Sequence, residues 1–258
     1  MISLQLSDLA RVLGVAVQGT DAPITGLAID SRAVTTGDLF VAIRGDRVDG
    51  SDFIEKALAR GAAAVVSSQA LSQTIPHLTV ADSGTACAAF GRLARASFDG
   101  VVVGITGSAG KTTAKAFLAA ICACTDRTVA TDGNQNNELG VPLTLAKLLS
   151  APQFGVVEMG AAQRGDIAHL KSMALPHVVV LLNAFEAHVG RFGSLDNIVA
   201  TKGEILDGLS PSSVAVLNAD QSNFALWSAR AQPAQIISFG WTTAADVRVV
   251  GERSNGFE

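Results

Sequence analysis

The stretch from Val101 to Thr113, VVVGITGSAGKTT, constrains the fold of this chain more than any other. It opens with a β-branched run, which is typical of a buried parallel strand. A glycine-rich turn and Lys-Thr-Thr follow, and then an apolar run with helical spacing, from Ala114 to Ala123. This is the layout of a phosphate-binding loop, because glycines let backbone N–H groups turn inward and the helix N-terminus adds a positive dipole end.

Two side chains of this loop carry the expected chemistry. Lys111 supplies a mobile charge for the β- and γ-phosphates of a nucleotide, and the Thr112 hydroxyl can ligate the accompanying Mg²⁺. A strict G-x-x-x-x-G-K-[ST] pattern would need glycine at Ile105, so the fit is to T-G-x-x-G-K-T-T instead. The alternative is an ordinary strand-to-helix turn with a surface lysine, but the flanking strand and helix favour nucleotide binding. The predicted phosphate-binding residues are Gly107, Ser108, Ala109, Gly110, Lys111, Thr112 and Thr113.

Composition narrows the function classes. The 258 residues are 48% hydrophobic, which is ample for one large or two ordinary domains. The net charge is −4, with no basic tract and no tyrosine, so nothing favours a nucleic-acid partner. The three cysteines lack metal-ligand spacing, and neither a signal peptide nor an apolar run of membrane-spanning length is apparent. We therefore expect a cytoplasmic protein without membrane insertion, and a monomer.

Two domains are predicted. Residues 1–80 form a small α/β unit of short strands and helices, and a polar stretch containing Pro76 precedes the border. In residues 81–258, strands and helices alternate from the phosphate loop onward. This alternation predicts an α/β fold with βαβ units and a mostly parallel sheet flanked by helices. Ligands should gather at the carboxyl ends of its strands.

Polar residues follow several of these strands. Glu158 ends the run from Gly155, beside the phosphate loop, where the second Mg²⁺ ligand of a nucleotide hydrolase lies. The alternative is an acid in a turn or a helix N-cap, and we favour the metal role. His188 follows the strand that begins at Val178 and is either a solvent-facing residue or a ligand of metal or substrate. Lys202 lies in a predicted helix, where a lysine is usually solvated.

Three amides crowd one loop of the larger domain. Asn134, Asn136 and Asn137 precede Gly140-Val141-Pro142. Asparagines in such a loop commonly form turns, yet beside a phosphate site they can also bind substrate. The sequence leaves both roles open.

Taken together, these stretches resemble the Mur ligase family, and within it the MurF type, which joins D-alanyl-D-alanine to UDP-N-acetylmuramoyl-tripeptide. The matching strings keep the family's order along almost the whole chain. They are DSR (30–32), GDLFVA (37–42), TGSAGKTT (106–113), GNQNNELGVP (133–142), VEMGA (157–161), NAFEAH (183–188), KGEI (202–205) and LNAD (217–220).

The resemblance implies an ATP-dependent amide ligase of peptidoglycan precursor synthesis, with ATP and Mg²⁺ as cofactors. ATP would phosphorylate the terminal carboxylate of the tripeptide, and the amine of D-alanyl-D-alanine would attack the acyl phosphate. Residues 1–80 would bind the UDP-sugar and residues 81–258 would bind ATP.

Residue roles carry over from the same resemblance. Glu158 and Thr112 would ligate Mg²⁺, His188 would help to hold a second ion, and Asn218 would lie near the adenine. Lys202 resembles the family lysine that CO₂ carbamylates. The implied catalytic residues are Lys111, His188 and Lys202, and the implied substrate-binding residues are Ser31, Arg32, Arg44, Gly45, Asp49, Asn134 and Asn137.

The sequence departs from the family pattern in three places. Ala109 stands where the family most often has asparagine, and Val48 to Ser51 replace a commoner Asp-Gly-His pattern. The chain ends at Glu258, whereas the family continues through the rest of the central domain into a C-terminal Rossmann-like domain. We therefore expect inefficient turnover from this chain alone. Two alternatives stay open, namely another amide ligase of the superfamily, such as a folylpolyglutamate synthase, and an ATP-binding module without catalysis.

Overall fold

The structure is a computed structural model that describes residues 2–45, 48–71, 75–185 and 192–250. The strands are Leu4–Gln5 (β1), Pro23–Ile24 (β2), Gly26–Ala28 (β3), Asp38–Val41 (β4), Ala64–Ser67 (β5), His77–Thr79 (β6), Val101–Thr106 (β7), Thr128–Ala130 (β8), Phe154–Glu158 (β9), Val178–Leu181 (β10), Val214–Asn218 (β11), Gln235–Gly240 (β12) and Val247–Arg248 (β13). The α-helices are Leu6–Leu13 (α1), Ile54–Ala59 (α2), Ser83–Ala96 (α3), Lys111–Ala123 (α4), Gly140–Ala146 (α5), Asp166–Ala174 (α6), Leu195–Gly203 (α7) and Phe224–Arg230 (α8).

The larger sheet confirms the predicted α/β class. Its seven strands follow the order β13-β12-β11-β10-β7-β9-β8, and each neighbouring pair is parallel. The chain leaves β7 for the edge strand β8, returns through β9, and then crosses to β10 on the other side of β7. The strand order therefore reverses around β7, and a crevice at such a reversal is where open α/β sheets bind ligands.

The smaller sheet gathers strands from the first eighty residues. Strands β3, β4, β5 and β6 pair in parallel in that order. Strand β6 lies inside the polar stretch that precedes the predicted border. In it His77 pairs with Val65 of β5, so this stretch completes the smaller sheet. The division at residue 80 stays a prediction.

Helix α3 joins the two sheets through a shared apolar interior. Its small side chains, such as Ala86 and Ala89, pack in the core of the smaller sheet, and Ala88 packs in the core of the larger one. Asp82 caps the helix by accepting hydrogen bonds from the backbone N–H groups of Gly84 and Thr85. The alanine-rich sequence thus allows one helix to contact both layers closely.

Helix α4 covers the opposite face of the larger sheet lightly. The one buried residue of this helix is Lys115, whereas Phe117 and Ile121 are 68% and 66% exposed. Beneath the helix, Val103, Ile105 and Val156 form a small buried cluster. Among the described residues, no helix is long and apolar enough to cross a membrane.

Candidate functional site

The phosphate-type loop connects β7 to α4, as the sequence predicted. Gly110 adopts a left-handed conformation (φ 78°) at the N-cap of α4, a position that favours glycine. The Lys111 ammonium turns back over the loop and donates hydrogen bonds to the carbonyl oxygens of Gly107 (2.8 Å) and Ser108 (3.4 Å). Burial lowers the pKa of Lys111, and the nearby charge of Glu158 opposes that shift. The lysine is thus a half-buried cation at the helix N-terminus, where an anion is favoured.

The segment after β10 braces this loop from the other side. The Asn183 side chain accepts a hydrogen bond from the backbone N–H of Ala109 (2.9 Å) and donates one to its carbonyl oxygen (3.1 Å). The Ser108 hydroxyl accepts a hydrogen bond from the backbone N–H of Phe185. Asn183 therefore fixes the backbone at Ala109, one of the positions where the sequence departs from the family pattern, and Ser108 ties the loop to the segment after β10.

Glu158 lies at the carboxyl end of β9 and is 1% exposed. Its Oε1 accepts hydrogen bonds from the side-chain amide of Asn136 (2.8 Å) and from the hydroxyl of Thr112 (3.3 Å). Its Oε2 lies 3.2 Å from the Lys115 ammonium. A buried carboxylate, a loop hydroxyl and the Lys115 ammonium thus meet at the start of α4, and the assignment of Glu158 and Thr112 to Mg²⁺ stays a prediction.

These groups fit a magnesium ion. Carboxylate and hydroxyl oxygens are hard ligands of the kind that Mg²⁺ takes, and it usually binds one or two protein groups together with substrate phosphates and water. Oε1 of Glu158 lies 3.3 Å from the Thr112 hydroxyl, so a carboxylate oxygen and a hydroxyl oxygen lie side by side at the loop, while Oε2 is paired with Lys115. The described part of the chain holds no cluster of three or more His, Cys, Asp or Glu side chains that would make an all-protein cage.

A cavity of about 480 Å³ opens beside the phosphate loop. Lys111 and Lys202 both line it, so two ammonium groups from different elements face one space. The other lining residues are Ser108, Asn136, Asn137, Glu138, Gly160, Ala161, Ala162, Asp166, His169, Leu170, Phe192 and Ile198. The lining thus mixes cations, carboxylates, amides and apolar groups, and Lys111 and Lys202 are its partners for an anionic group of a ligand.

Lys202, near the end of α7, is buried rather than solvated. The residue is 4% exposed, and its ammonium lies 5.9 Å from the centre of the Phe192 ring. Burial, together with the charge of Lys111, lowers the pKa of Lys202 to about 8. Near pH 8 the neutral fraction of Lys202 is therefore far larger than that of a lysine with a pKa of 10.5. A neutral amine is a nucleophile.

Glu204 anchors the wall of the same cavity. It follows α7, and its two carboxylate oxygens accept hydrogen bonds from the backbone N–H groups of Gly165 (2.8 Å) and Ala168 (3.1 Å) at the start of α6. Acceptors at a helix N-terminus satisfy its free donors. Glu204 therefore ties the segment that carries Lys202 to helix α6, which supplies Asp166 and His169 to the cavity.

The predicted amides take different positions. Asn136 binds Glu158, whereas the Asn137 side chain accepts a hydrogen bond from the backbone N–H of Gly140 (2.9 Å) at the start of α5. Asn137 also lines the cavity, while Asn134 is exposed and does not line it. Asn218, at the carboxyl end of β11, donates to the carbonyl oxygen of Leu182 (3.0 Å).

The predicted sugar-binding residues lie at the carboxyl ends of strands in the smaller sheet. Arg32 is exposed and pairs with Asp30 through two parallel hydrogen bonds (3.0 and 2.7 Å), which lower the pKa of Asp30 to about 2. Ser31 is buried. Arg44 and Asp49 form an isolated antiparallel bridge around the exposed Gly45, with their side-chain charges 4.0 Å apart.

A second cavity, of about 620 Å³, lies between the smaller sheet and helix α5. Asp30 and Asn137 line it from opposite sides. Ser31, Arg32, Arg44, Gly45 and Asp49 are absent from the described lining of this cavity and from that of the cavity beside the phosphate loop. His188, predicted as a catalytic and metal-binding residue, lies outside the described residues.

Three residues of the site were missed or underrated from sequence. Lys115 repeats Lys111 one helical turn later, and its inward position between Ala114 and Leu118 was an available signal. Asn136 was grouped with its neighbours but not assigned a role. Asn183 had no signal beyond its place after β10.

Comparison with known proteins identifies relatives of both halves of the chain. A family model described as the Mur ligase middle domain matches residues 105–257, and one described as the Mur ligase family, catalytic domain, matches residues 23–95. The UDP-N-acetylmuramoyl-tripeptide–D-alanyl-D-alanine ligase of Escherichia coli K12 is 40% identical over 230 residues, which are 88% of this chain and 50% of that protein. The corresponding ligase of Synechocystis is 36% identical over 232 residues, or 89% of this chain and 51% of that protein.

Solved structures agree with these relatives. A crystal structure of MurF from Acinetobacter baumannii superposes with a TM-score of 0.82 at 32% identity, covering 92% of this chain and 53% of that one. The MurF ligase of Thermotoga maritima in complex with ADP gives a TM-score of 0.73 at 36% identity, covering 84% and 50%. The chain thus spans about half the length of the curated relatives it matches.

Proposed function

The chain belongs to the Mur ligase family, and we propose that it is part of a MurF-type, ATP-dependent amide ligase. The reaction would add D-alanyl-D-alanine to UDP-N-acetylmuramoyl-tripeptide in the cytoplasm, during peptidoglycan precursor synthesis. The observation that carries the proposal is the single cavity lined by both Lys111 and Lys202, beside a helix N-terminus whose Thr112 contacts the buried Glu158.

The phosphate loop would bind ATP. Backbone N–H groups of Gly107 to Thr113 and the Lys111 ammonium supply positive charge where the phosphates would lie. Thr112 and Glu158 would hold Mg²⁺, which would supply additional positive charge to the phosphates, and His188 would help to hold a second ion. Asn218 would lie near the adenine.

The cavity would receive the end of the tripeptide. An oxygen of the tripeptide's terminal carboxylate would attack the γ-phosphorus of ATP, breaking the bond to the β–γ bridging oxygen and releasing ADP. The amine of D-alanyl-D-alanine would then attack the acyl carbon, with loss of phosphate and a proton. Lys111 and the loop N–H groups would stabilise the charge that gathers as two anions approach.

Lys202 would be carbamylated. The ammonium would first lose a proton, and the neutral amine would then attack CO₂, forming a nitrogen–carbon bond and releasing a second proton. Together the two steps would convert a buried cation into an anion. Support comes from the burial of Lys202 and from its lowered pKa. In the smaller domain, the residues from Ser31 and Arg32 to the Arg44–Asp49 loop would face the UDP-sugar.

The test is calorimetric titration of this chain with ADP and Mg²⁺. The natural chain is expected to bind ADP, and Lys111→Ala is expected to weaken binding about a hundredfold or more, because it removes the mobile charge of the loop. Lys56→Ala, which removes an exposed lysine from the smaller domain, is the control. Equal affinity of the Lys111→Ala variant and the natural chain would refute the assignment of the loop.

The ligase activity itself is tested in a polypeptide of the relatives' length. Phosphate release should require ATP, the tripeptide nucleotide and D-alanyl-D-alanine together. Release stimulated by a folate substrate instead would contradict the proposed substrates.

A further inference from the structure

Lys115 faces the protein interior from a helix that is otherwise largely exposed. It is 6% exposed, and it is the one buried residue of α4. Burying an ammonium without compensation is costly, so an apolar residue would be expected at this position. Its surroundings must therefore compensate the charge.

Two groups do so. The Lys115 ammonium lies 3.2 Å from Oε2 of Glu158, and it donates a hydrogen bond to the carbonyl oxygen of Gly133 (2.7 Å). Both side chains of the ion pair are almost fully buried, at 7% and 1% exposure. Lys115 thus links helix α4, the end of β9 and the loop that carries the asparagines.

The two oxygens of Glu158 have separate environments. Oε1 contacts Thr112 and Asn136, on the side of the phosphate loop. Oε2 receives no hydrogen bond from the described residues and has Lys115 as its ion-pair partner. The ion pair with Lys115 restrains Oε2, so the carboxylate cannot rotate freely. Lys115 therefore also restrains the direction in which Oε1 points.

We propose that Lys115 is a positioning residue, which holds Glu158 and the loop from Gly133 to Asn137 so that Oε1 stays directed at Thr112, where Mg²⁺ would bind. Lys115 acts through Glu158 rather than by touching the nucleotide. This inference rests on the proposed function of the loop, because it assigns Glu158 to the magnesium ion. Partners that orient metal ligands commonly affect metal affinity about 10- to 100-fold.

The first test separates positioning from general support of the fold. ADP binding is titrated at a series of Mg²⁺ concentrations for the natural chain, Lys115→Met and Lys115→Arg. Lys115→Met is expected to need roughly 10- to 100-fold more Mg²⁺ for the same ADP affinity, while its affinity for ADP without Mg²⁺ changes less than about threefold. Lys115→Arg keeps the charge and should recover most of the loss.

The matched control is Lys56→Met, the same change at an exposed lysine, which should match the natural chain. An unchanged Mg²⁺ requirement in Lys115→Met overturns the proposal. Equal losses of ADP affinity with and without Mg²⁺ overturn it as well, since a purely structural role predicts that result.

The second test needs no nucleotide. Thermal unfolding is measured for Lys115→Met, Glu158→Gln and the double variant, because a double-mutant cycle isolates the pair. The fall in melting temperature of the double variant should be clearly smaller than the sum of the falls in the two single variants. If Lys115→Met alone does not fold, folding of the double variant supports the pairing, and failure of both overturns it. Additive losses overturn the pairing. Absence of ADP binding in the natural chain would instead refute the proposed function. The double-mutant cycle would still test whether Lys115 and Glu158 are coupled.

Discussion

Replacing Lys202 by methionine should change how the stability of the chain depends on pH. The side chain is buried near Phe192, and burial, with a contribution from Lys111, lowers its pKa from 10.5 to about 8. The folded state therefore loses the Lys202 proton at a lower pH than the unfolded state does. Methionine fills a similar volume without a titrating group, so the variant lacks this linkage.

The sign and size follow from the two pKa values. Between about pH 8 and pH 10.5 the unfolded chain binds a proton at Lys202 that the folded chain lacks, so the free energy of unfolding rises with pH. The rise is about 1.4 kcal/mol per pH unit and about 3 kcal/mol in total. Below about pH 7 both states carry the proton, and the contribution is constant.

Urea unfolding in CO₂-free buffer, from pH 6.5 to 10, measures this difference. The free energy of unfolding of the natural chain, minus that of Lys202→Met, should be flat up to about pH 7.5 and then increase. Lys56→Met, at an exposed site, should run parallel to the natural chain. A flat difference across the whole range, or one that decreases with pH, would refute the reasoning. Bicarbonate at pH 8 should stabilise the natural chain and leave Lys202→Met unchanged if the amine is carbamylated.

Two further substitutions test the scaffold of the site. Asn183→Ala removes both hydrogen bonds to the backbone of Ala109 and should weaken ADP binding about tenfold. Calorimetry measures the affinity, with Asn223→Ala as the control because the Asn223 side chain makes no capping hydrogen bond. Equal ADP affinities of the two variants would contradict the prediction. Gly160→Ala should lower the free energy of unfolding by about 1–2 kcal/mol, because the added Cβ would lie 2.5 Å from Oδ1 of Asn136 and displace the amide that binds Glu158. Urea unfolding measures it beside Gly84→Ala, where the nearest atom is 3.4 Å away, and a matching stability for the two variants would rule out the clash.

The order of strands and helices was largely predictable because hydrophobic periodicity is a local property. The β-branched run at Val101 and the apolar run after Lys111 predicted β7 and α4 correctly. Strand β6 was missed, since three residues next to Pro76 in a polar segment carry little periodic signal. Its pairing with β5 depends on contacts that only the folded chain provides.

The site was predictable where a residue type is tied to a local motif. Lys111, Thr112 and Glu158 follow from the loop and from a strand end, and the structure brings them together. Lys115 and Asn136 act through residues distant in sequence, so spacing alone does not distinguish them from a solvated lysine and a turn-forming amide. The burial of Lys202 likewise depends on how α7 packs, which its helical sequence does not specify.

The resting position of Lys111 has a consequence for how a ligand would arrive. Its ammonium already lies against the carbonyl oxygens of Gly107 and Ser108, and Asn183 holds the next residue in place. The loop thus loses most of its conformational entropy when the chain folds. Only a small further loss accompanies ligand binding. A di- or triphosphate would exchange its hydration water for contacts with a loop that is already ordered. Its association rate would then be set by diffusion and charge rather than by rearrangement of the backbone.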